Sequence, residues 1–207
     1  MPPTSRWAGL RRCCGLTAVA LALAPAAAHG GVPQAGQRWP GPTITYENWL
    51  AGSDRWALRR AVGAWNRSGA AVRFRRAGPL RAAGVSVTYA SALSSGLGRA
   101  QLGYVPFRTA YVQLRRPSER HVRHDRFVMA AVITHELGHV LGLGHGGPCT
   151  VMAPDLGAWI GATDECRSAP QHQWRCNLLA PDDVSGAVAL YGATAVRPAT
   201  ARRWCRR

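Results

Sequence analysis

The sequence predicts an α+β fold, in which one sheet and several helices come from different stretches of a single domain. Short runs of alternating apolar and polar residues surround one helical pattern in the first half of the chain. Two further helical patterns occupy the second half, with a stretch rich in glycine and proline between them. The 207 residues suffice for one domain with a sizeable core and are few for two.

The first half of the domain is predicted to hold five strands and one helix. Residues 43–46 alternate in hydropathy, which is typical of a strand. Apolar residues then recur at helical spacing from Trp56 to Trp65. Ser53 and Asp54, just before that run, offer N-cap chemistry for the helix. The four later strands are predicted over residues 71–75, 84–89, 99–105 and 110–114.

Two more helices are predicted in the second half. Asp125 can cap a helix with many apolar positions, and Gly142 ends it. The last helix begins at Pro181, because proline is favoured at the first helical position. Asp182 and Asp183 then lie beside the positive end of its dipole. The region between these helices is predicted as loop.

The first 28 residues have the three-part pattern of a secretory signal peptide. Arginines precede an apolar run over residues 13–24, and three alanines at 26–28 offer a cleavage site. The run is too short to cross a bilayer easily, so no stable membrane anchor is expected. We predict a signal peptide over 1–28, a folded domain over 29–192 and a basic tail over 193–207. The protein is therefore expected to be secreted, by a general or a twin-arginine route.

The chain is strongly basic, with a formal net charge of +16 at pH 7. Such a charge is typical of proteins that bind nucleic acid and also of proteins that meet an anionic cell surface. The arginines are scattered over the chain and form no run with interleaved aromatic residues. We therefore predict no specific nucleic-acid partner and interpret the charge as a basic, solvated surface.

Four cysteines follow the predicted signal peptide, namely Cys149, Cys166, Cys176 and Cys205. An even number of cysteines in an exported protein predicts two disulfides. Their spacing includes no C-x-x-C pair, so metal binding by these cysteines is the weaker interpretation. Four cysteines allow three pairings, and the residues alone do not choose among them.

The segment from His135 to His145 has the residue types of a metal site. His135 and His139 lie four residues apart, so on a helix both side chains project from one face and can bind one zinc ion. His145 can supply a third ligand if the chain turns sharply after the helix, and Gly142 permits the positive φ of such a turn. A fourth position then stays open for water or substrate.

Glu136 follows the first of these histidines and is the candidate general base. It would take the proton from a zinc-bound water that attacks a peptide carbonyl, and pass that proton to the leaving amine. The pattern thus predicts a zinc-dependent endopeptidase. The alternative is a secreted surface-binding protein that retains a zinc site without significant turnover, but a purely structural site has no need of a general base. His121, His124 and His172 are predicted to be exposed rather than ligands.

The H-E-x-x-H-x-x-G-x-x-H pattern of residues 135–145 resembles that of the metzincin metallopeptidases. Met152, seven residues after the last histidine, looks like the methionine of their Met-turn, a tight turn beneath the metal. Residues 150–154 are most similar to the matrixin branch. The resemblance extends over residues 38–192 and is strongest at the histidines.

The resemblance implies a twisted, mostly parallel sheet of about five strands. It also implies an active-site helix, a second packing helix and a C-terminal helix behind the Met-turn. Residues 99–104 correspond to an edge strand that pairs with a protein or peptide substrate in extended form. The protein is expected to be a monomer. Leu156, Trp159 and Ile160 would line an apolar pocket beside the scissile bond.

The chain also departs from the matrixin pattern. It has no cysteine-bearing inhibitory segment before the first strand, so how activity is kept latent stays open. Residues 84–120 hold no match to the structural zinc or calcium ligands of matrixins, and we therefore predict one zinc ion, the catalytic one. Residues 147–152 are similar to snapalysin-type secreted bacterial peptidases, although those have aspartate where this chain has His145. That similarity favours a Cys149–Cys166 disulfide and leaves Cys176–Cys205 as the second.

Overall fold

The computed structural model describes Pro33 and residues 37–119, 125–161, 166 and 174–195. The predicted signal peptide and most of the basic tail lie outside these residues. The strands are β1 (Thr43–Asn48), β2 (Arg73–Arg76), β3 (Val85–Tyr89), β4 (Gly98–Ala100) and β5 (Ala110–Leu114). The helices are α1 (Gly52–Asn66), α2 (Arg126–Leu141), α3 (Leu156–Gly161) and α4 (Pro181–Tyr191), with a short 3-10 turn at Pro117–Glu119.

The five strands form one sheet in the order β2-β1-β3-β5-β4. β1 pairs in parallel with β2 and β3, and β3 pairs in parallel with β5. β4 pairs antiparallel with β5 and is the last strand on that side. The sheet is therefore mixed and mostly parallel, and the predicted α+β class is confirmed.

Helices α1 and α2 pack against each other, and α2 also contacts β4 and β5. The buried face of α1 is the apolar side that the sequence pattern predicted. Trp65 is fully buried at the end of that face, and its indole Nε1 donates a hydrogen bond of 2.9 Å to the backbone oxygen of Thr134 in α2. An indole donor needs such a partner when it is buried. The contact holds the helix that carries the histidines against α1.

The N-cap predicted for α1 is wrong. The helix begins at Gly52, one turn earlier than a cap at Asp54 would allow, and its N-cap residue, Ala51, makes no side-chain capping bond. Asp54 is instead a buried residue inside the first turn, and its Oδ2 accepts a hydrogen bond of 2.9 Å from the hydroxyl of Tyr89 in β3. A tertiary hydrogen bond thus replaces the local one that the sequence pattern predicted.

The strand predicted over residues 99–105 is also only partly right, because β4 ends at Ala100. One more backbone bond to β5 follows, from the N–H of Gln101 to the carbonyl of Tyr111, and the chain then leaves the sheet. The backbone N–H of Gly103 donates to the carbonyl of His139 at 2.8 Å, and that of Tyr104 donates to the carbonyl of Gln37 at 2.8 Å. The last carbonyl groups of α2 need hydrogen-bond donors, and Gly103 supplies one of them. This bond competes with continuation of the strand. Helix α3 was not predicted, since its region reads as a loop.

The two ends of α2 agree with the prediction. At the start, the Asp125 carboxylate accepts from the backbone N–H of Phe127 at 3.0 Å. At the end, Gly142 has φ 98°, in the left-handed region that glycine adopts without strain. Side chains from elsewhere bind the last carbonyls: Trp39 Nε1 donates to Val140 at 2.7 Å, and the Tyr191 hydroxyl donates to Leu141 at 2.7 Å.

Helix α4 also starts and ends where the sequence predicts, at Pro181 and just before Gly192. Among the described residues, no helix is both long enough and apolar enough to cross a membrane.

Candidate metal centre

The fold brings His135, His139 and His145 together. One nitrogen from each ring lies within 4.8 Å of the nitrogens of the other two. His135 and His139 occupy successive turns of α2, and His145 reaches them from the segment that follows the turn at Gly142. The three ligand positions predicted from the sequence therefore converge on one point.

Two backbone carbonyls determine which nitrogens face that point. The Nδ1 of His135 lies 2.7 Å from the oxygen of Val151, and the Nδ1 of His139 lies 2.8 Å from the oxygen of Leu143. Because a carbonyl oxygen can only accept, each Nδ1 carries the hydrogen and each Nε2 keeps its lone pair. Such bonds orient metal-binding histidines in proteins.

The two Nε2 atoms lie 3.0 Å apart. Two lone pairs at this distance repel each other unless a cation lies between them. Nitrogens bound to one tetrahedral zinc at about 2.0–2.1 Å are separated by about 3.3 Å. The residues present therefore fit a metal ion held by three imidazoles.

Burial favours the neutral form of His135 and His139, which is the form that binds metals. It lowers the pKa of His135 to about 4, and repulsion from the charged forms of His139 and His145 acts in the same direction. Burial also lowers the pKa of His139. Protons therefore compete weakly for these two rings near neutral pH.

The Glu136 carboxyl group lies on the side of α2 that faces the edge of the sheet. The side chain is buried, with only 5% of its surface exposed. It lies against Gly98 of β4, so closely that a Cβ atom on that glycine would be 2.7 Å from Glu136 Oε1. Burial raises the pKa of Glu136 to about 8. A neighbouring divalent cation would favour the ionised form of this group, which can then accept a proton and return it.

Met152 lies beneath the histidine-bearing turns of α2 and is fully buried. Its side chain fills the space beside Gly138, between the two helical histidines, where any Cβ atom would collide with the sulfur. Trp65 closes the other side of this space. Met152 thus packs against the helix, and its assignment to a Met-turn stays a prediction.

Asp183, which was predicted only to lie beside the positive end of the helix dipole, also supports the turn that contains Met152. Its buried carboxylate accepts hydrogen bonds from three backbone N–H groups: Val151 at 3.0 Å, Met152 at 3.2 Å and Ala180 at 2.8 Å. Burial raises its pKa to about 6, while the three donors act in the opposite direction. Since Val151 also holds the His135 ring, Asp183 positions that ring through one intermediate residue.

A disulfide joins Cys149 to Cys166, as the resemblance implied. It ties the segment after His145 to a residue 17 positions further along the chain. Cys176 is also disulfide-bonded. Its expected partner, Cys205, lies outside the described residues.

The remaining site predictions have mixed outcomes. Leu156 and Ile160 are partly buried and pack against the core. The side chain of Trp159 lies outside what the structure describes, as do His121, His124 and His172. That these residues line an apolar substrate pocket stays a prediction.

No protein-family model and no curated protein matches the chain. The fold and the site together define an α+β protein with a mixed five-stranded sheet and three clustered histidines that could bind a metal ion.

Proposed function

We propose that the protein is a zinc-dependent endopeptidase of the metzincin class, most similar to the matrixin branch. The observation that carries the proposal is the cluster of three histidines together with the buried carboxyl group of Glu136, the residue after His135. A structural zinc site is closed by four protein ligands, whereas three leave a position open for chemistry.

The metal is proposed to be zinc. Imidazole nitrogens suit zinc, and three of them with one open position are the ligand set of many catalytic zinc sites. When bound, zinc supplies a Lewis acid that polarises a carbonyl oxygen and makes water acidic near neutral pH. His135, His139 and His145 would hold it.

Glu136 is the proposed general base and acid. Its carboxylate would accept a proton from the attacking water and then return that proton to the nitrogen of the leaving amine. The low-dielectric surroundings that raise its pKa also strengthen its interaction with a proton in transit. Because Gly98 has no side chain, the Glu136 carboxyl group can lie directly against β4. The peptide would lie along the edge of the sheet at this point.

The proposal includes secretion as a monomer. The Cys149–Cys166 disulfide supports an oxidising compartment, and the N-terminal pattern of charged, apolar and small residues supports export. The substrate would be a protein or peptide in extended form.

The test measures zinc content and hydrolysis in the same preparation of purified protein. We expect about one zinc per chain and cleavage of casein, lost on chelation and restored by added zinc. Glu136→Ala should keep its zinc and lose about 10²- to 10⁴-fold in rate. Glu47→Ala, a carboxylate on β1 outside the site, is the matched control and should behave as the unaltered protein.

Two results would contradict the proposal. Undiminished hydrolysis by Glu136→Ala would exclude the assigned mechanism. A protein that holds one zinc and cleaves no substrate would instead support a surface-binding role with a structural metal.

A further inference from the structure

Strand β4 has an unpaired side. It is the last strand of the sheet, and in the described part of the chain only β5 pairs with it. The carbonyl of Leu97 accepts from the N–H of Arg115, and the N–H of Gln101 donates to the carbonyl of Tyr111. In an antiparallel ladder the bonded positions alternate, so residues 97, 99 and 101 direct their peptide groups at β5. Those of Gly98 and Ala100 are therefore directed at the open side.

The side chains of β4 point alternately to the two faces of the sheet. Gly98 touches Glu136, and Ala100 packs against the core. Arg99 projects from the other, outer face of the sheet and is exposed. An extended peptide that pairs with Gly98 and Ala100 would pass directly beside Glu136, with Arg99 one residue away.

Two residues of β5 orient the Arg99 side chain. Its Nε donates a hydrogen bond of 2.8 Å to Gln113 Oε1, and its guanidinium carbon lies 6.0 Å from the centroid of the Tyr111 ring. The Nε–H is used in this contact, and the Nη hydrogens are the ones that can meet a carboxylate from outside. These contacts hold the guanidinium on the outer face of the sheet, over the β4–β5 pair, and a carboxylate on a strand added to the open side would reach it across β4.

In the described part of the outer face, no acid of β3 or β5 competes for Arg99. The outward-facing residues in β3 and β5 and just after them are Ser86, Thr88, Tyr111, Gln113 and Arg115, and they include no acid. On the described part of this face, the acid in the sheet is Glu47 of β1, which is paired with Ser86. It is three strand spacings from β4, about 14 Å, which exceeds the screening length of about 8 Å at physiological salt.

We infer that this edge selects peptide substrates with an acidic side chain opposite Arg99. The inference rests on the proposed function, since it names the substrate class of the same site. A peptide residue opposite Arg99 shares its face, with Cβ atoms about 4.5–5.5 Å apart. An opposite charge there favours binding by about 1.5- to 5-fold over a neutral residue. The selected position lies within a residue or two of the scissile bond, because Gly98 touches Glu136.

The experiment compares cleavage of a positional peptide library by the zinc-loaded protein and by three charge variants. The unaltered protein should favour Asp and Glu over Asn and Gln by about 1.5- to 5-fold at one position near the bond. Arg99→Glu should favour Lys and Arg at that position, and Arg99→Gln should show no charge preference. Arg75→Glu, an exposed arginine on β2 at the opposite edge of the sheet, is the matched control and should retain the acidic preference. Raising the salt concentration should weaken the preference.

The outcomes separate this inference from the proposed function. Cleavage without an acidic preference, or with one that Arg99→Glu leaves unchanged, overturns the inference while the endopeptidase assignment stands. If the zinc-loaded protein cleaves nothing, the proposed function fails, and binding of paired acidic and basic peptides is measured by fluorescence anisotropy. If the acidic peptide binds more tightly than the basic one, and Arg99→Glu reverses this order, the edge would still be a peptide-binding site that selects acidic residues. Equal binding of the acidic and basic peptides would overturn the inference.

Discussion

His135 and His139 can be recognised as ligands in the sequence because their spacing is a property of any helix. What holds their rings cannot be recognised in the same way. The two carbonyl acceptors belong to Val151 and Leu143, which reach the rings from beyond the end of α2. A single sequence contains no signal for those pairings, since a carbonyl is present in every residue.

Gly98 is the residue whose role the sequence conceals most, because glycine in a strand is usually read as a weak point. We predict that Gly98→Ala lowers kcat by about 10²-fold, since the new methyl group would displace the Glu136 carboxylate by a fraction of an ångström or more. Zinc binding should be retained, because Gly98 touches Glu136 and lies outside the histidine cluster. The measurements are steady-state kinetics and metal content.

The matched control for this prediction is Gly78→Ala, where an added Cβ meets nothing within 4 Å. This variant should have the kcat of the unaltered protein. A Gly98→Ala variant with undiminished kcat would show that the position of the Glu136 carboxylate is not critical.

At the scale of elements, the site depends on three segments: α2, the turn at 150–153 and the start of α4. Asp183 of α4 accepts hydrogen bonds from the turn, and the Val151 carbonyl of that turn holds the His135 ring of α2. We predict that Asp183→Ala lowers the free energy of unfolding by about 3 kcal/mol, because it leaves buried N–H groups without an acceptor. Zinc affinity should fall about 10- to 100-fold, as for other groups that support a ligand indirectly.

Denaturant unfolding and a zinc competition titration measure these two effects. Asp182→Ala is the control, since this neighbouring acid is only partly buried while Asp183 is fully buried. It should change neither quantity by more than about 0.5 kcal/mol. Equal effects of the two substitutions would mean that the charge near the helix start matters and the hydrogen bonds do not.

The boundaries of the elements were predicted best where a local signal ends them. Asp125 and Gly142 bound α2, and Pro181 and Gly192 bound α4, because capping and left-handed φ involve only neighbouring residues. The prediction for Asp54 failed because its carboxylate accepts a tertiary hydrogen bond from Tyr89. The strand predicted to Val105 stops early because Gly103 donates to His139 of α2 and Tyr104 donates to Gln37.

At the scale of the whole molecule, the metal is expected to stabilise the fold. The histidines come from a helix and from the segment beyond it, so unfolding would separate them. At free zinc 100 times its dissociation constant, mass action adds about 2.7 kcal/mol to the free energy of unfolding. For a protein of this size that corresponds to a rise in Tm of about 5–10 °C.

Thermal unfolding of metal-free protein, with and without added zinc at constant pH, measures this rise. A His145→Ala variant should show a much smaller shift, since it lacks one of the three ligands. An equal Tm with and without zinc would show that the three histidines do not bind it in the folded state.

The sequence by itself determined the α+β class, the helix that carries two histidines, the third histidine after a glycine turn, and Glu136 beside them. These follow from spacing and capping, which act over a few residues. Only the tertiary structure decided that Gly98 faces Glu136, that Asp183 rather than Asp182 supports the turn at Met152, and that β4 ends at Ala100. The first two are contacts between residues more than 25 positions apart. The third depends on another such contact, the bond from Gly103 to His139. Their approach depends on how α1, α2 and the sheet pack together, which no local pattern specifies.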